Sequence, residues 1–462
     1  MSDEHLADRR FDLGRDGILY TKRVFHRYPG KRALVHGQLN GVPVVAKFYV
    51  APVAQAYEWY RGLRGTKALI RSGVATPALH YAGYRSEVSA WLTVQEWIEA
   101  DEFWPPAEDE HSGAAHARLI QTLVTHHLAG IIQNDLNWLN FIPHQGSLYA
   151  IDGDRVRRQR SPLGPRQGLG HLVRLYASKS KLPETTVREG FRQYMELRRW
   201  SFGSVDEERF IARVQRARRR HAEEVAHRAC RGWKHYPRRR HDGFTIIRDR
   251  RCLDQAQARR LLASLRKESE TQPNGGTIEQ DGRTVRWQPI GEIPDRISPV
   301  QQWLNGRRAC HTWVALLTAH RLGLFTERHL ALILPGLVTR GAVATVMVQK
   351  AIGASPLPDC LHDMDTEDLT NLLGQLHDRL AVMKASRITI GPAGLSAFGW
   401  DGRRLHIIDA LAIELYPLRR SGFTGHWRCF LEELQKDLVA AGVVPSELTV
   451  FAPIVQAELH VD

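Results

Sequence analysis

Residues Gln133 to Arg155, QNDLNWLNFIPHQGSLYAIDGDR, place two carboxylates and an amide at intervals that phosphoryl-transfer chemistry can use. Asp135 is followed five residues later by Asn140. Asp152 comes twelve residues after that, beyond the short apolar strand Leu148-Tyr149-Ala150-Ile151. An acid on a tight loop can orient a hydroxyl and accept its proton, while an amide oxygen and a second carboxylate can share magnesium over nucleotide phosphates. Taken singly, Asp-Leu-Asn-x-x-Asn reads equally well as a polar turn, and Ile-Asp-Gly-Asp as an ordinary strand end. Their order and spacing together favour the chemical reading.

Such groups act only when other elements hold them against a nucleotide. Ile18 to Tyr49 reads as antiparallel strands, with Asn40-Gly41 as a two-residue hairpin turn before Val42-Pro43-Val44-Val45-Ala46-Lys47-Phe48-Tyr49. Lys47 is the one charge in that apolar run, so it is either an edge-strand solubility device or a cation held in a cleft. The loop downstream favours the cleft, where Lys47 would contact nucleotide phosphates. No GxGxxG precedes it. The candidate phosphate-covering turn, His26-Arg27-Tyr28-Pro29-Gly30-Lys31, has a single glycine and must rely partly on charge. A helix is predicted over Val53 to Arg71, ended by Gly73 and Pro77, with Glu58 as its only acid. Glu58 reads equally as a partner for Lys47, one turn early, and as an exposed helix-start acid. Strands follow at Ala78 to Gly83 and Ala90 to Ile98. The second leads into Gln95-Glu96-Trp97-Ile98-Glu99-Ala100, where a hinge would offer the backbone of Glu96 and Ile98 to an adenine ring. Asp101 to Ser112 reads as a surface loop. Ala114 to Leu128 reads as a helix with Leu119, Ile120, Leu123, Val124 and His127 or Leu128 on one face, closed by Gly130.

Composition limits the alternatives. At 462 residues the chain is too long for one core and implies two or three domains. The polar start and the lack of a long apolar run predict a cytoplasmic protein without a membrane span. Five dispersed cysteines, with no CxxC, argue against a disulfide scaffold and a zinc site. His126, His127, His221 and His227 read as structural or surface residues. A net charge of +14 calls for an anionic partner: nucleic acid, a membrane surface or an acidic glycan.

The succession Val-Ala-Lys-Phe, a helix ending Gly-Val-x-x-Pro, a hinge strand, His127-x-x-Gly130-Ile-x-Gln133-x-Asp135-Leu-Asn-x-x-Asn140-Phe and Ile151-Asp152-Gly153-Asp154-Arg155 resembles the bacterial lipopolysaccharide kinases, the InaA/WaaP-like and Kdo-kinase-like group. The resemblance covers about Ile18 to Trp200. It implies a kinase-like α+β fold with ATP and Mg2+ as cofactors and a sugar hydroxyl of the lipopolysaccharide inner core, expected to be heptose, as acceptor. It implies that Asp135 takes the acceptor proton, that Asn140 and Asp152 bind Mg2+, that Lys47 holds the nucleotide phosphates, and that Asp154 aids metal or substrate binding. Two departures stand out: Gln133 replaces a usual histidine, and Glu58 is misplaced for the lysine partner. Arg157, Arg158, Arg160 and Arg166 suit an acidic, phosphorylated acceptor, and equally a solvated face.

Asp206 to Gly232 reads as a long basic helix, either a surface for anionic lipid at the inner membrane or a solvated connector. No aromatic-interleaved platform or binding motif supports a nucleic-acid partner. Beyond it the landmarks recur at offsets of about 241 to 257 residues. A hairpin at Asp281-Gly282 puts Gln288 opposite Lys47, Trp313 to Leu322 echoes the first helix, and Val346 to Ala354 echoes the hinge. Matching Phe398 to Phe141 puts Pro392 opposite Asp135, Ala397 opposite Asn140 and Asp409 opposite Asp152. The expected organisation is therefore two tandem bilobal kinase-like domains. Residues 1–205 form the catalytic one, 206–270 a basic helical linker, and 271–462 a degenerate, pseudokinase-like copy. Two other readings remain: a protein kinase or small-molecule phosphotransferase, and a non-enzymatic regulatory or assembly protein.

Overall fold

The computed structural model describes residues 6–28, 30–50, 52–102, 113–179, 182–272, 275–281, 283–289, 299–324, 329–335, 346–350, 353–391, 394–409, 412–416, 422–444 and 446–451. Helix and strand are mixed in an α+β arrangement. The chain divides into two compact units, Met1–Val214 and Gln215–Asp462.

In the first unit the period-two alternation of the sequence builds an antiparallel sheet from β1 (Arg10–Asp12), β2 (Ile18–Tyr28), β3 (Arg32–Leu39), β4 (Val42–Val50), β5 (Leu79–Arg85) and β6 (Ala90–Glu96), in the order β1-β2-β3-β4-β6-β5. One face of β3 and β4 buries Ala33, Val35, Leu39, Val44, Ala46 and Phe48 with Phe11, Leu19, Leu92 and Val94. Each large apolar side chain so buried contributes about 1.5–3 kcal/mol. The other face carries Arg32 and Lys47. The predicted hairpin is present, with Asn40 and Gly41 both at positive φ (50° and 85°), the combination a two-residue turn of this hand requires. Between β4 and β5 runs α1 (Pro52–Arg71), the predicted helix, followed by Gly73 at φ 68°.

The rest of this unit holds α2 (Gly113–Leu128), β7 (Ile131–Gln133), the hairpin of β8 (Phe141–His144) and β9 (Ser147–Ala150), β10 (Val156–Arg158), α3 (Pro165–Ala177) and α4 (Glu184–Leu197). β10 pairs with β7, which brings the two ends of the 133–155 stretch together, and the β8–β9 hairpin lies within it. The buried face of α2 holds Leu119, Ile120, Leu123, Val124 and His127, while Leu128 is exposed. The expected surface loop over 103–112 lies outside the described residues. Helix α5 (Ser204–Arg231) matches the predicted basic helix and contains the division between the units. Arg188 and Arg192 of α4 bind Glu207 at 3.0 and 2.7 Å, anchoring the start of α5.

The second unit has its own six-stranded sheet: β11 (Arg238–His241), β12 (Phe244–Arg248), β13 (Gly276–Gln280), β14 (Arg283–Pro289), β15 (His329–Pro335) and β16 (Val346–Lys350), ordered β11-β12-β15-β16-β14-β13. Thus 206–270, expected as a helical linker, also supplies two strands of this sheet. Phe244, Ile246 and Ile247, masked in the sequence by flanking arginines, are buried there. It further supplies α6 (Gln255–Thr271), whose start is fixed by a capping box between Asp254 and Gln257. Then come α7 (Pro299–Arg321), β17 (Ser355–Pro356), α8 (Leu357–Cys360), α9 (Thr366–Ala385), β18 (Ile388–Ile390), β19 (Phe398–Trp400), β20 (Leu405–Ile407), β21 (Ile413–Leu415) and α10 (Phe423–Ala440). Hairpin, helix and strand pair recur with one spatial order, β3-β4-β6-β5 in the first unit and β13-β14-β16-β15 in the second. The pairings β7 with β10 and β8 with β9 recur as β18 with β21 and β19 with β20.

Candidate active site

Lys47 lies in the middle of β4, opposite Leu34 on one side and Thr93 on the other, on the sheet face away from the apolar core. Its ammonium meets Asp154 Oδ1 at 2.9 Å and Asp152 Oδ1 at 3.5 Å. The second oxygen of Asp154 accepts from Arg32 Nη1 at 2.8 Å, and Tyr49 donates its hydroxyl to Oδ1 at 3.3 Å. Burial disfavours the charge on Lys47, yet Tyr49, Asp152 and Asp154 outweigh it and raise the pKa above its ordinary value. Burial likewise opposes ionisation of Asp154, and Lys47 and Arg32 overcome it, holding the carboxyl below its ordinary range. Burial pushes the Tyr49 phenol up to about 12, so it stays a donor.

These contacts settle the partner of Lys47. Glu58 is ion-paired with Arg61 on its own helix, and the acid on Lys47 is Asp154 from the loop. Space for that loop comes from α1. A methyl group on Gly62 would stand 2.5 Å from Asp154 Oδ1, and one on Gly65 would stand 1.9 Å from the Gly153 carbonyl oxygen. Two helix-interior glycines, each costing roughly 1 kcal/mol of helix propensity, thus let the backbone of α1 lie directly on Asp152-Gly153-Asp154. The signal available in the sequence was Gly62-Leu63-Arg64-Gly65 inside an otherwise helical run. Arg32 and Tyr49 carried no such signal.

Asp135 is exposed and Asn140 half-buried. Asn140 Nδ2 donates to the Asp135 carbonyl at 2.7 Å, which bends the loop back on itself and leaves the amide oxygen of Asn140 available as a ligand. Asp152 Oδ1 accepts from the Asp154 N–H at 3.1 Å, and its side chain remains 37% exposed. One exposed carboxylate and one amide oxygen suit a magnesium ion that takes its remaining ligands from phosphates and water. No cluster of three or more His, Cys, Asp or Glu able to hold a metal unaided occurs among the described residues.

At the hinge, the Glu96 N–H and carboxylate are both committed to Ala78, at 2.9 and 3.1 Å. The backbone of the buried Ile98 makes no hydrogen bond among the described residues, so of the two hinge residues Ile98 has its groups free. Trp97 stacks on Phe25 (5.4 Å between ring centroids) and meets His36 edge-on at 4.8 Å.

Beneath the 133–155 loop runs a buried chain of hydrogen bonds. His171 Nε2 lies 2.6 Å from the Gln133 carbonyl oxygen, His171 Nδ1 lies 2.6 Å from His127 Nε2, and His127 Nδ1 lies 2.7 Å from the Tyr194 hydroxyl. A carbonyl only accepts, so His171 Nε2 carries a proton, His127 Nε2 donates to His171 Nδ1, and Tyr194 donates to His127. Both imidazoles are neutral in this arrangement. Burial lowers the pKa of His127 to about 2 and that of His171 to about 4. The chain ends two residues before Asp135 and fixes that backbone. Gln133, at the position where the resemblance implies a histidine, is buried with both side-chain polar atoms unpaired.

Two backbone hydrogen bonds of the 133–155 stretch have counterparts in the second unit 257 residues later. Ile151 N donates to the Asn140 carbonyl and Ile408 N to that of Ala397, at 3.0 and 2.7 Å. Asn134 N donates to the Arg155 carbonyl and Gly391 N to that of Ala412, at 3.0 and 2.6 Å. Gly130 (φ 73°) has Arg387 (φ 49°) as its counterpart in the left-handed region. Gln288, six residues after Gly282 as Lys47 is after Gly41, pairs with Met347 of β16, and Lys47 pairs with Thr93 of β6. Arg286, two residues earlier on the same face, donates to the Ile408 carbonyl at 3.2 Å. Pro392, opposite Asp135 in the sequence, lies outside the described residues.

Neither a protein-family profile nor a curated protein matches this chain. Among solved structures, the kinase domain of PknI from Mycobacterium tuberculosis is similar with a TM-score of 0.26 and 13% sequence identity, over 36% of this chain and 72% of that domain. An overlap of that size carries no argument about chemistry. No helix among the described residues is long and apolar enough to cross a membrane.

Proposed function

We propose that the first unit is a kinase-like phosphotransferase that moves the γ-phosphoryl group of ATP, with Mg2+, to an alcohol, and that the second is a degenerate tandem copy of it. The observation that carries this reading is the lock of Lys47 onto the Asp152–Asp154 loop beside Asn140 and Asp135. A half-buried cation on β4, an exposed acid and an amide on the 135–140 loop, and a carboxylate on the 152–154 loop come from three segments. In this reading Lys47 holds nucleotide phosphates, Ile98 offers its backbone to the base, and Asn140 with Asp152 holds the metal. The metal would neutralise charge on the phosphates. Asp135 orients the acceptor hydroxyl and takes its proton. Asp154 is a positioning residue that keeps Lys47 in the cleft.

The acceptor in this proposal is a sugar hydroxyl of the lipopolysaccharide inner core, with heptose as the expected sugar and the enzyme working at the cytoplasmic side of the inner membrane. Support comes from the sequence motifs. Labelled ATP offered with purified core oligosaccharide, free sugars or proteins tests it. Label on the oligosaccharide alone supports the proposal, and label confined to protein or free sugar overturns the acceptor. Phosphorus NMR of core oligosaccharide from cells with and without the protein is the corresponding test in vivo.

A further inference from the structure

A cleft of about 730 Å³ opens between α1 and β10, within the first unit. Arg61, Arg64 and Arg71 line it from the helix, and Arg155, Arg157 and Arg158 from the other wall. No acidic residue is among its lining residues. Of these six, only Arg61 is ion-paired among the described residues, with Glu58. The side chains of the other five arginines make no hydrogen bond or ion pair among the described residues, and Arg61 Nε is buried without a partner. Two facing walls of like charge repel one another, and the arrangement is relieved by an anion between them.

We propose that this cleft is a second anion site, distinct from the transfer site, that takes a compact ligand bearing several phosphate groups. Guanidinium forks match phosphate oxygens two at a time, so six of them around one concavity favour clustered phosphates over a single carboxylate. Lys47, Asp135, Asn140 and Asp152 do not line the cleft, so its ligand is not the group being transferred. Nucleic-acid phosphates are strung along an extended backbone at about one charge per 1.7 Å of duplex axis, which a single concavity uses poorly.

The cleft is mechanically tied to the site. Asn134, in its lining, immediately precedes Asp135 and donates to the Arg155 carbonyl at 3.0 Å, while Arg174 holds its side chain at 3.2 Å. The helix forming the opposite wall is the one whose Gly62 and Gly65 rest on the Asp152–Asp154 loop. An anion bridging the two walls presses α1 onto that loop and steadies the Lys47 lock. This coupling rests on the phosphotransferase reading, and the binding does not.

Calorimetric titration of the full chain with inositol hexakisphosphate tests the binding. One equivalent should bind, and the double variant Arg64→Glu/Arg157→Glu should bind at least ~30-fold more weakly through two reversed phosphate contacts. Both residues are exposed, and Arg158→Glu alone provides a second variant with the same expected direction. Pelleting with phosphatidylcholine vesicles containing phosphatidic acid separates the sources. Retention lost in the double variant assigns a lipid-borne phosphate, and no retention assigns a soluble carrier. Undiminished hexakisphosphate binding in both variants overturns the site, as does an RNA duplex that competes with equal affinity. In a transfer assay the hexakisphosphate should raise kcat in the wild type and not in the double variant. A rate unchanged in both overturns the coupling while leaving the binding result to stand by itself, and the binding result holds even if no transfer is found.

Discussion

Asp154 and Asp152 stand two residues apart and do different work. Asp154 is enclosed by Lys47, Arg32 and Tyr49 with its side chain 12% exposed, whereas Asp152 opens to solvent. Asp154→Ala should leave two cations facing a void and lower stability by about 3 kcal/mol, read as a drop in the denaturation midpoint. Asp152→Ala should leave that midpoint nearly unchanged and remove nucleotide-dependent activity. The sequence pointed to both acids, but offered Lys47 only Glu58 as a partner, because the pairing with Asp154 runs between residues 107 apart and no local pattern encodes it. The histidine chain was equally hidden: His127 and His171 look unremarkable until α2 and α3 meet. Their neutral state makes stability depend on pH. With folded pKa values below the ordinary 6.5, their contribution is complete above pH 6.5. It is lost as pH falls from 6.5 toward about 4 for His171 and toward about 2 for His127, because the unfolded chain takes up protons that the folded one refuses. Thermal midpoints measured across that window should fall with acid in the wild type and less steeply in His171→Gln, and equal slopes would remove the chain from the account.

At the scale of elements, the strands and helices of the first unit were legible because they rest on local rules: alternation in β3 and β4, Asn40-Gly41 at the turn, glycines after α1 and α2. The closeness of α1 to the Asp152–Asp154 loop was written only as two glycines in a helix, a signal that also reads as weak helix propensity. Gly65→Ala should discriminate the two readings. An exposed helix glycine replaced by alanine gains up to about 1 kcal/mol. Here the added methyl meets the Gly153 carbonyl, so a loss of about 1–3 kcal/mol is expected, with a fall in kcat that Gly73→Ala, past the end of the helix, does not share. Strands β11 and β12 escaped the sequence reading because arginines and histidines crowd around a short apolar core, and charge counting outweighed the burial of Phe244, Ile246 and Ile247.

For the molecule as a whole, landmarks that drift between about 241 and 257 residues in the sequence share a single offset of 257 in the backbone hydrogen bonds Ile151–Asn140 and Ile408–Ala397, and Asn134–Arg155 and Gly391–Ala412. In the proposed degenerate copy, Gln288 stands where Lys47 does and Ala397 where Asn140 does, and Arg286 donates to the Ile408 carbonyl. The full chain should therefore bind one ATP analogue, and equilibrium dialysis giving two equivalents would contradict the degenerate reading. In the first unit Asp135 is exposed, makes no ion pair among the described residues, and is needed only if a hydroxyl loses its proton there. Transfer of label from ATP to core oligosaccharide, measured for the wild type and Asp135→Ala side by side, decides it. The account predicts a fall of about 10²–10⁴-fold in rate with an unchanged thermal midpoint, and a variant that transfers phosphate at the wild-type rate would contradict it.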